Sequence, residues 1–157
     1  MEFAPTPIQF LWEDEQGNRL YVKREDLLPY SFGGNKARIG LEYLADMRRQ
    51  GGDHLIAYGN ARSNLCRVLS NLCCAGNIPC TILSPADDDG QRRPSFNQRF
   101  CENFGAQIVP CLKTGVRETV EQALAESRRQ GRKPYYIYGD PTGQGNLATP
   151  VRAYRKV

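Results

Sequence analysis

Apolar and polar positions follow two different rhythms along the chain. Residues 7–12 and 20–24 are short apolar runs on either side of Glu15-Gln16-Gly17-Asn18, a pattern that predicts a β-hairpin. A loop from Glu25 to Gly34 leads into a predicted helix over 35–50. There Ala37, Leu41, Leu44 and Met47 recur at helical spacing, and Gly51-Gly52 supply the stop. From residue 52 the rhythm becomes regular. It predicts strand 54–58, helix 63–75, strand 79–83, a polar loop over 84–94, and helix 94–104 started by Pro94. Strand 106–110, helix 115–130, strand 135–138, a glycine-rich loop over 139–146 and a helical stretch from Ala148 complete the series. In helix 115–130 the residues Val116, Val120, Ala123, Leu124 and Ser127 share one face.

Strands alternating with helices predict an α/β fold, here a three-layer αβα sandwich whose parallel sheet has about four strands. Residues 1–51 break the alternation and read as one unit, a hairpin and a helix; residues 52–157 read as the α/β unit proper. The apolar faces of the first unit are expected to need a partner outside the sheet. Parallel sheets bind ligands at the carboxyl ends of their strands, against helix N-termini. That directs attention to residues 59–64 and 139–146.

Composition narrows the function classes. With 157 residues, 40% hydrophobic and 24% charged, the chain can bury a core and is neither disordered nor fibrous. Its 21 Lys and Arg against 17 Asp and Glu leave a net charge of +4, too mild for a nucleic-acid footprint. The basic pairs Arg48-Arg49, Arg92-Arg93, Arg128-Arg129 with Arg132-Lys133, and the tail Arg152, Arg155, Lys156 sit at helix C-terminal turns or in loops, where cations suit the helix dipole. No nucleic-acid partner is expected. No apolar run reaches the ~20 residues of a membrane helix, and the N-terminus lacks a signal-peptide pattern, so no membrane partner and a cytoplasmic location are expected. The six cysteines form no paired CxxC and there is one histidine, which argues for reduced, buried thiols and against zinc.

Three stretches could carry chemistry. In KREDLLPYSFGGNKAR, residues 23–38, Gly33-Gly34 permit close approach to backbone, Asn35 can cap the following helix, and Lys36 falls in its first turn. A desolvated lysine near a helix N-terminus is placed to act as a neutral amine toward a carbonyl, whereas a solvated lysine there needs no function. In GNARSNLCR, residues 59–67, a strand-to-helix junction offers backbone N–H groups, with Ser63 and Asn64 as further donors. Simple helix capping by Asn60, Ser63 or Asn64 accounts for the same residues. GDPTGQGN, residues 139–146, has the glycines of an anion cradle without a recognised phosphate motif, and equally suits a surface connection.

Taken together, KRED, FGGNKAR with LEYL, and the strand followed by G-x-x-x-SN resemble the 1-aminocyclopropane-1-carboxylate deaminase and D-cysteine desulfhydrase family. These are pyridoxal-phosphate enzymes with the tryptophan-synthase-β-like fold, and the similarity runs from about Thr6 to about Tyr154. The resemblance implies that Lys36 carries the cofactor and moves the substrate's α-proton, with Ser63 beside the substrate carboxylate as the second catalytic residue. It implies that Asn64 hydrogen-bonds the cofactor's phenolic oxygen and helps bind substrate, and that Asn35 lies beside the cofactor. The implied activity is β-elimination or deamination of a small amino acid. Residues 1–51 would belong to the family's larger domain and 52–157 to its smaller one. Two departures stand out: Leu65 replaces a polar residue, and the chain ends before the family's phosphate-gripping loop and active-site tyrosines. The expectation is therefore an N-terminal half not active alone, completed by a homodimer or by a separate C-terminal half. The alternative is a non-catalytic binding or assembly module derived from the same fold.

Overall fold

The computed structural model describes residues 3–86, 93 and 95–155. Strands β1 (Ile8–Glu13) and β2 (Arg19–Lys23) pair antiparallel as a hairpin. Its turn is organised by the Asp14 carboxylate, which accepts hydrogen bonds from the backbone N–H of Gln16 and from both the backbone and side chain of Asn18. A 3-10 turn, Glu25–Leu27, and a loop follow, and helix α1 (Lys36–Arg49) leads into the main sheet.

That sheet has the strands β3 (His54–Tyr58), β4 (Cys80–Pro85), β5 (Gln107–Cys111) and β6 (Pro134–Tyr136). All pairs are parallel, in the spatial order β5-β4-β3-β6. Helices α2 (Asn64–Ala75), α3 (Phe96–Asn103), α4 (Val116–Arg129) and α5 (Ala148–Tyr154) connect or follow these strands. The chain runs outward from β3 to β5 and then returns to the other side of β3. The order therefore reverses between β3 and β6, the place where open parallel sheets form their ligand crevices.

Side-chain alternation along β3 and β4 sorts the layers. Leu55, Ala57, Cys80 and Ile82 face α1, α2, α3 and α5, and join Tyr43, Met47, Leu69, Cys101 and Ala153 in the main core. His54, Ile56 and Leu83 face α4, where Val120 and Tyr136 complete a smaller cluster. The result is the three-layer αβα arrangement that the alternation of elements implies.

Several boundaries differ from expectation for local reasons. The third helix of the series begins at Phe96, with Ser95 Oγ accepting from the N–H of Gln98, so a hydroxyl cap sets its start. Pro94 and residues 87–92 of the anticipated polar loop lie outside the described residues, as do Met1, Glu2, Lys156 and Val157. Ser84 and Pro85 belong to β4, because the ladder to β5 runs on through Ser84↔Pro110 and Pro85↔Cys111.

The larger difference concerns α1. Its expected apolar stripe is only part of what it buries: Ile39 and Tyr43 join Leu44 and Met47 in the main core, and Gly40 lets α1 lie directly on Leu72 and Val68 of α2. The apolar face of α1 thus has its partner within the chain. The hairpin does not: Ile8, Phe10, Leu11, Trp12 and Tyr21 all remain exposed. None of the six cysteines is in a disulfide, and all but Cys74 are buried. Among the described residues, no helix is long and apolar enough to cross a membrane.

Candidate functional site

Lys36 opens helix α1, and the helix's C-terminus feeds directly into the start of β3, so its N-terminus lies toward the carboxyl ends of the strands. The loop that delivers it is unusual. Tyr30, Ser31, Phe32, Gly33 and Gly34 all have positive φ, from 51° to 88°. For the three non-glycine residues each such conformation costs on the order of 1 kcal/mol or more, so other parts of the chain must hold them.

Two devices do so. The first is a buried ion pair between two residues of the 23–38 stretch. Arg38 donates to Glu25 through Nε at 2.7 Å and Nη2 at 3.1 Å, and Thr6 Oγ1 donates to the same carboxylate at 2.5 Å. Bonding from Arg38 holds the Glu25 carboxyl below its ordinary value despite burial. The Glu25 backbone carbonyl then accepts from the N–H of Gly34 at 2.7 Å, and Gly33 lies so close to Asp26 that a Cβ would come within 2.5 Å of its carbonyl oxygen. The glycine pair is required at this close approach.

The second device is Arg67 of α2. Its Nε donates to Ser31 Oγ at 2.9 Å, its Nη2 to the Ser31 carbonyl at 3.0 Å, and its guanidinium lies 5.3 Å from the Phe32 ring centre. Its remaining arm, Nη1, donates to Asn97 Oδ1 at 2.6 Å. Asn97 in turn donates to Asn64 Oδ1 at 3.0 Å. A continuous run of hydrogen bonds therefore links the loop ahead of Lys36 to the Ser63-Asn64 junction.

The four residues singled out in the sequence fall as follows. Lys36 is half-buried and, among the described residues, has no carboxylate or hydrogen-bond partner. Asn35 does not cap α1 as expected. Its backbone is already helical, and its Nδ2 donates across the fold to Tyr154 Oη at 2.9 Å. Ser63 caps α2, its Oγ accepting from the N–H of Cys66 at 3.2 Å. Asn64 is exposed at the first residue of α2. Leu65, beside it, packs against the main core rather than leaving an apolar patch at the junction.

The 139–146 loop is not an open cradle. Asp140 accepts from both the N–H and the hydroxyl of Thr142, which keeps its carboxyl low. Gly139 and the Gly145 backbone are in such close contact that a Cβ on Gly139 would lie 2.5 Å from the Gly145 carbonyl carbon. Asn146 bonds Tyr135 Oη, the Ile137 carbonyl and Thr149. A cavity of about 280 Å³ lined by Tyr58, Val116, Tyr136, Tyr138 and Thr142 lies on the α4 side of the sheet and includes none of the candidate residues.

Sequence reasoning missed Glu25, Arg38, Arg67 and Asn97 as individual contributors. Arg67 carries no strong sequence signal: it lies on the side of α2 that Asn71 and Cys74 share, off the buried face.

Comparison with known proteins now decides the family. A family model described as pyridoxal-phosphate dependent enzyme matches residues 1–145. The chain belongs to that family. Among curated relatives, it is 32% identical over 150 residues to a D-cysteine desulfhydrase of Klebsiella pneumoniae (strain 342), covering 91% of this chain and 44% of the relative. A crystal structure of an ACC deaminase homologue superposes with a TM-score of 0.73 at 25% identity, over 98% of this chain and 47% of the other. The cysteine synthase of Entamoeba histolytica shares the fold alone, with a TM-score of 0.63 at 18% identity, over 86% of this chain and 40% of that one. The chain spans less than half the length of these relatives.

The described residues fit one side of pyridoxal phosphate. Lys36 at the start of α1 offers an amine not engaged by any described carboxylate, and Asn64 offers an amide at the start of α2. They supply no evident grip for the phosphate. The 139–146 loop uses donors on its own Asp140, and the Cys66 N–H at the start of α2 is taken by Ser63.

Proposed function

We propose that this chain is the lysine-bearing part of a pyridoxal-phosphate enzyme of the D-cysteine desulfhydrase or 1-aminocyclopropane-1-carboxylate deaminase type, acting on a small amino acid by β-elimination or deamination. The observation that carries the reading is Lys36: a half-buried amine without a described partner, delivered by a loop of five left-handed residues that two buried or half-buried arginines hold in place. When bound, the cofactor supplies an electron sink for charge developing at the substrate's α-carbon. Lys36 Nζ anchors the cofactor and carries the α-proton. Asn64 donates to the cofactor's phenolic oxygen, Asn35 lines its flank, and Ser63 serves the substrate carboxylate when its hydroxyl leaves the Cys66 N–H. In desulfhydration the substrate loses sulfide, and water converts the remainder to a 2-oxo acid and ammonia.

The site is completed by further protein: a second copy, a separate C-terminal part or a longer stretch of the same polypeptide. The exposed apolar residues Ile8, Phe10, Leu11 and Trp12 of the hairpin support such an association. The six thiols outside disulfides suit a reducing, cytoplasmic compartment.

The test adds pyridoxal 5′-phosphate to this chain. A visible absorbance that disappears in Lys36→Ala is expected, with no ammonia released from D-cysteine until the complementary half is supplied. No absorbance in the wild type, or the same absorbance in Lys36→Ala, contradicts the reading and favours the binding or assembly module.

A further inference from the structure

We infer that Arg67 and Asn97 are positioning residues that fix which end of the Asn64 amide faces the ligand, so that the site presents an N–H donor to a ligand oxygen. That the ligand is pyridoxal phosphate rests on the functional reading above; the orientation itself does not.

The argument uses only which atoms can donate. A guanidinium has donors and no acceptor, so Arg67 Nη1, 2.6 Å away, fixes the Oδ1 of Asn97 toward itself. A backbone carbonyl can only accept, so the Arg62 carbonyl, 2.6 Å from the other end of the same amide, requires Nδ2 there. Two independent partners thus fix Asn97 in one orientation. Its Nδ2 also meets Asn64 at 3.0 Å, and a donor there demands the Oδ1 of Asn64. The Nδ2 of Asn64 is left pointing away from the network, on an exposed residue at the start of α2. Polarity set at a charged arginine is passed through one amide to the next. The same arginine holds Ser31 and Phe32, so the orientation of Asn64 and the placement of the Lys36 loop share one anchor.

Asn97→Asp separates the two roles. Aspartate still accepts from Arg67, now as an ion pair, but has no donor for Asn64; Asn64 must rotate, turning Nδ2 inward and Oδ1 toward the ligand. Two readouts follow in isotopically labelled protein. Without ligand, side-chain amide exchange in the wild type should be slow for Asn97 and fast for Asn64. In Asn97→Asp, which also loses the donor to the Arg62 carbonyl, the melting temperature should fall slightly while the Asn64 amide becomes protected. With pyridoxal 5′-phosphate, the dissociation constant of Asn97→Asp should rise about tenfold, the loss of one good hydrogen bond. Arg67→Lys, which keeps a donor for Asn97, should leave the exchange pattern of the wild type, and Arg67→Met should lose it. A protected Asn64 amide in the wild type, or no change in Asn97→Asp, overturns the inference. Should pyridoxal 5′-phosphate bind no variant, the functional reading fails while the exchange pattern still decides the orientation.

Discussion

Residues 30–36 and 139–146 are both glycine-bearing loops that end at a helix, and the chain stabilises them by opposite means. The second closes on itself: Asp140 bonds Thr142, Gly139 rests on Gly145, and Asn146 ties the loop end to Tyr135 and Ile137. The first contributes little to its own support. Glu25, Arg38 and Arg67, from outside it, hold its backbone in a conformation that Tyr30, Ser31 and Phe32 would not adopt unaided. A loop that satisfies its own donors has few left for a ligand. A loop held from outside keeps its functional group unengaged, and Lys36 is that group.

The largest break of this comparison removes the external support. Arg38→Met leaves the Glu25 carboxylate buried beside Thr6 without its cation. It should cost about 3–5 kcal/mol by chemical denaturation; a cost near that of an exposed ion pair would show that the loop holds itself. Next come the glycines. Gly33→Ala adds a left-handed alanine and a clash with the Asp26 backbone, and should cost about 3 kcal/mol. Gly143→Ala in the other loop, also at positive φ but in open space, should cost about 1 kcal/mol. Equal losses at the two positions would erase the distinction between the loops.

The smallest effect is in pH dependence and lies on the far face of the sheet. His54 is buried between Ser127 and Thr81, at 2.7 and 2.9 Å, and burial lowers its pKa from 6.5. The unfolded chain binds the proton more readily, so stability should fall as pH drops below about 6.5. Glu25 acts in the same sense at lower pH: its folded pKa is depressed, so its contribution is complete above about 4.5 and fades as pH falls below that. Melting curves of His54→Gln should therefore lose the upper phase alone, and Arg38→Met the lower.

Much of the fold was legible because it is periodic. Strand β3 and helix α4 emerge from alternation and from an apolar stripe within a residue or so of their observed ends. The capped start of α3 was misplaced because Pro94 was a stronger signal than the Ser95 hydroxyl beside it. The burial of α1 was underestimated because Arg38, Glu42 and Asp46 look like a solvated stripe. In the fold they are buried, Arg38 against Glu25 and the two carboxylates within reach of Arg152. The site was legible in its residue types but not in its supports. Positive φ at Tyr30, Ser31 and Phe32 carries no sequence mark. The Arg67–Asn97–Asn64 relay joins residues that are 30 and 33 positions apart. For Asn35 the bond to Tyr154, 119 positions away, outweighed the local capping preference.

The central claim is that the externally held loop makes Lys36 the reactive amine of this chain. Reductive trapping with pyridoxal 5′-phosphate and borohydride, followed by peptide mapping, compares Lys36 directly with Lys23, Lys113, Lys133 and Lys156. The account predicts that Lys36 is labelled first and most completely, and that Gly33→Ala slows its labelling while leaving the other four unchanged. Labelling spread evenly over the five lysines, or unaffected at Lys36 by Gly33→Ala, would contradict it.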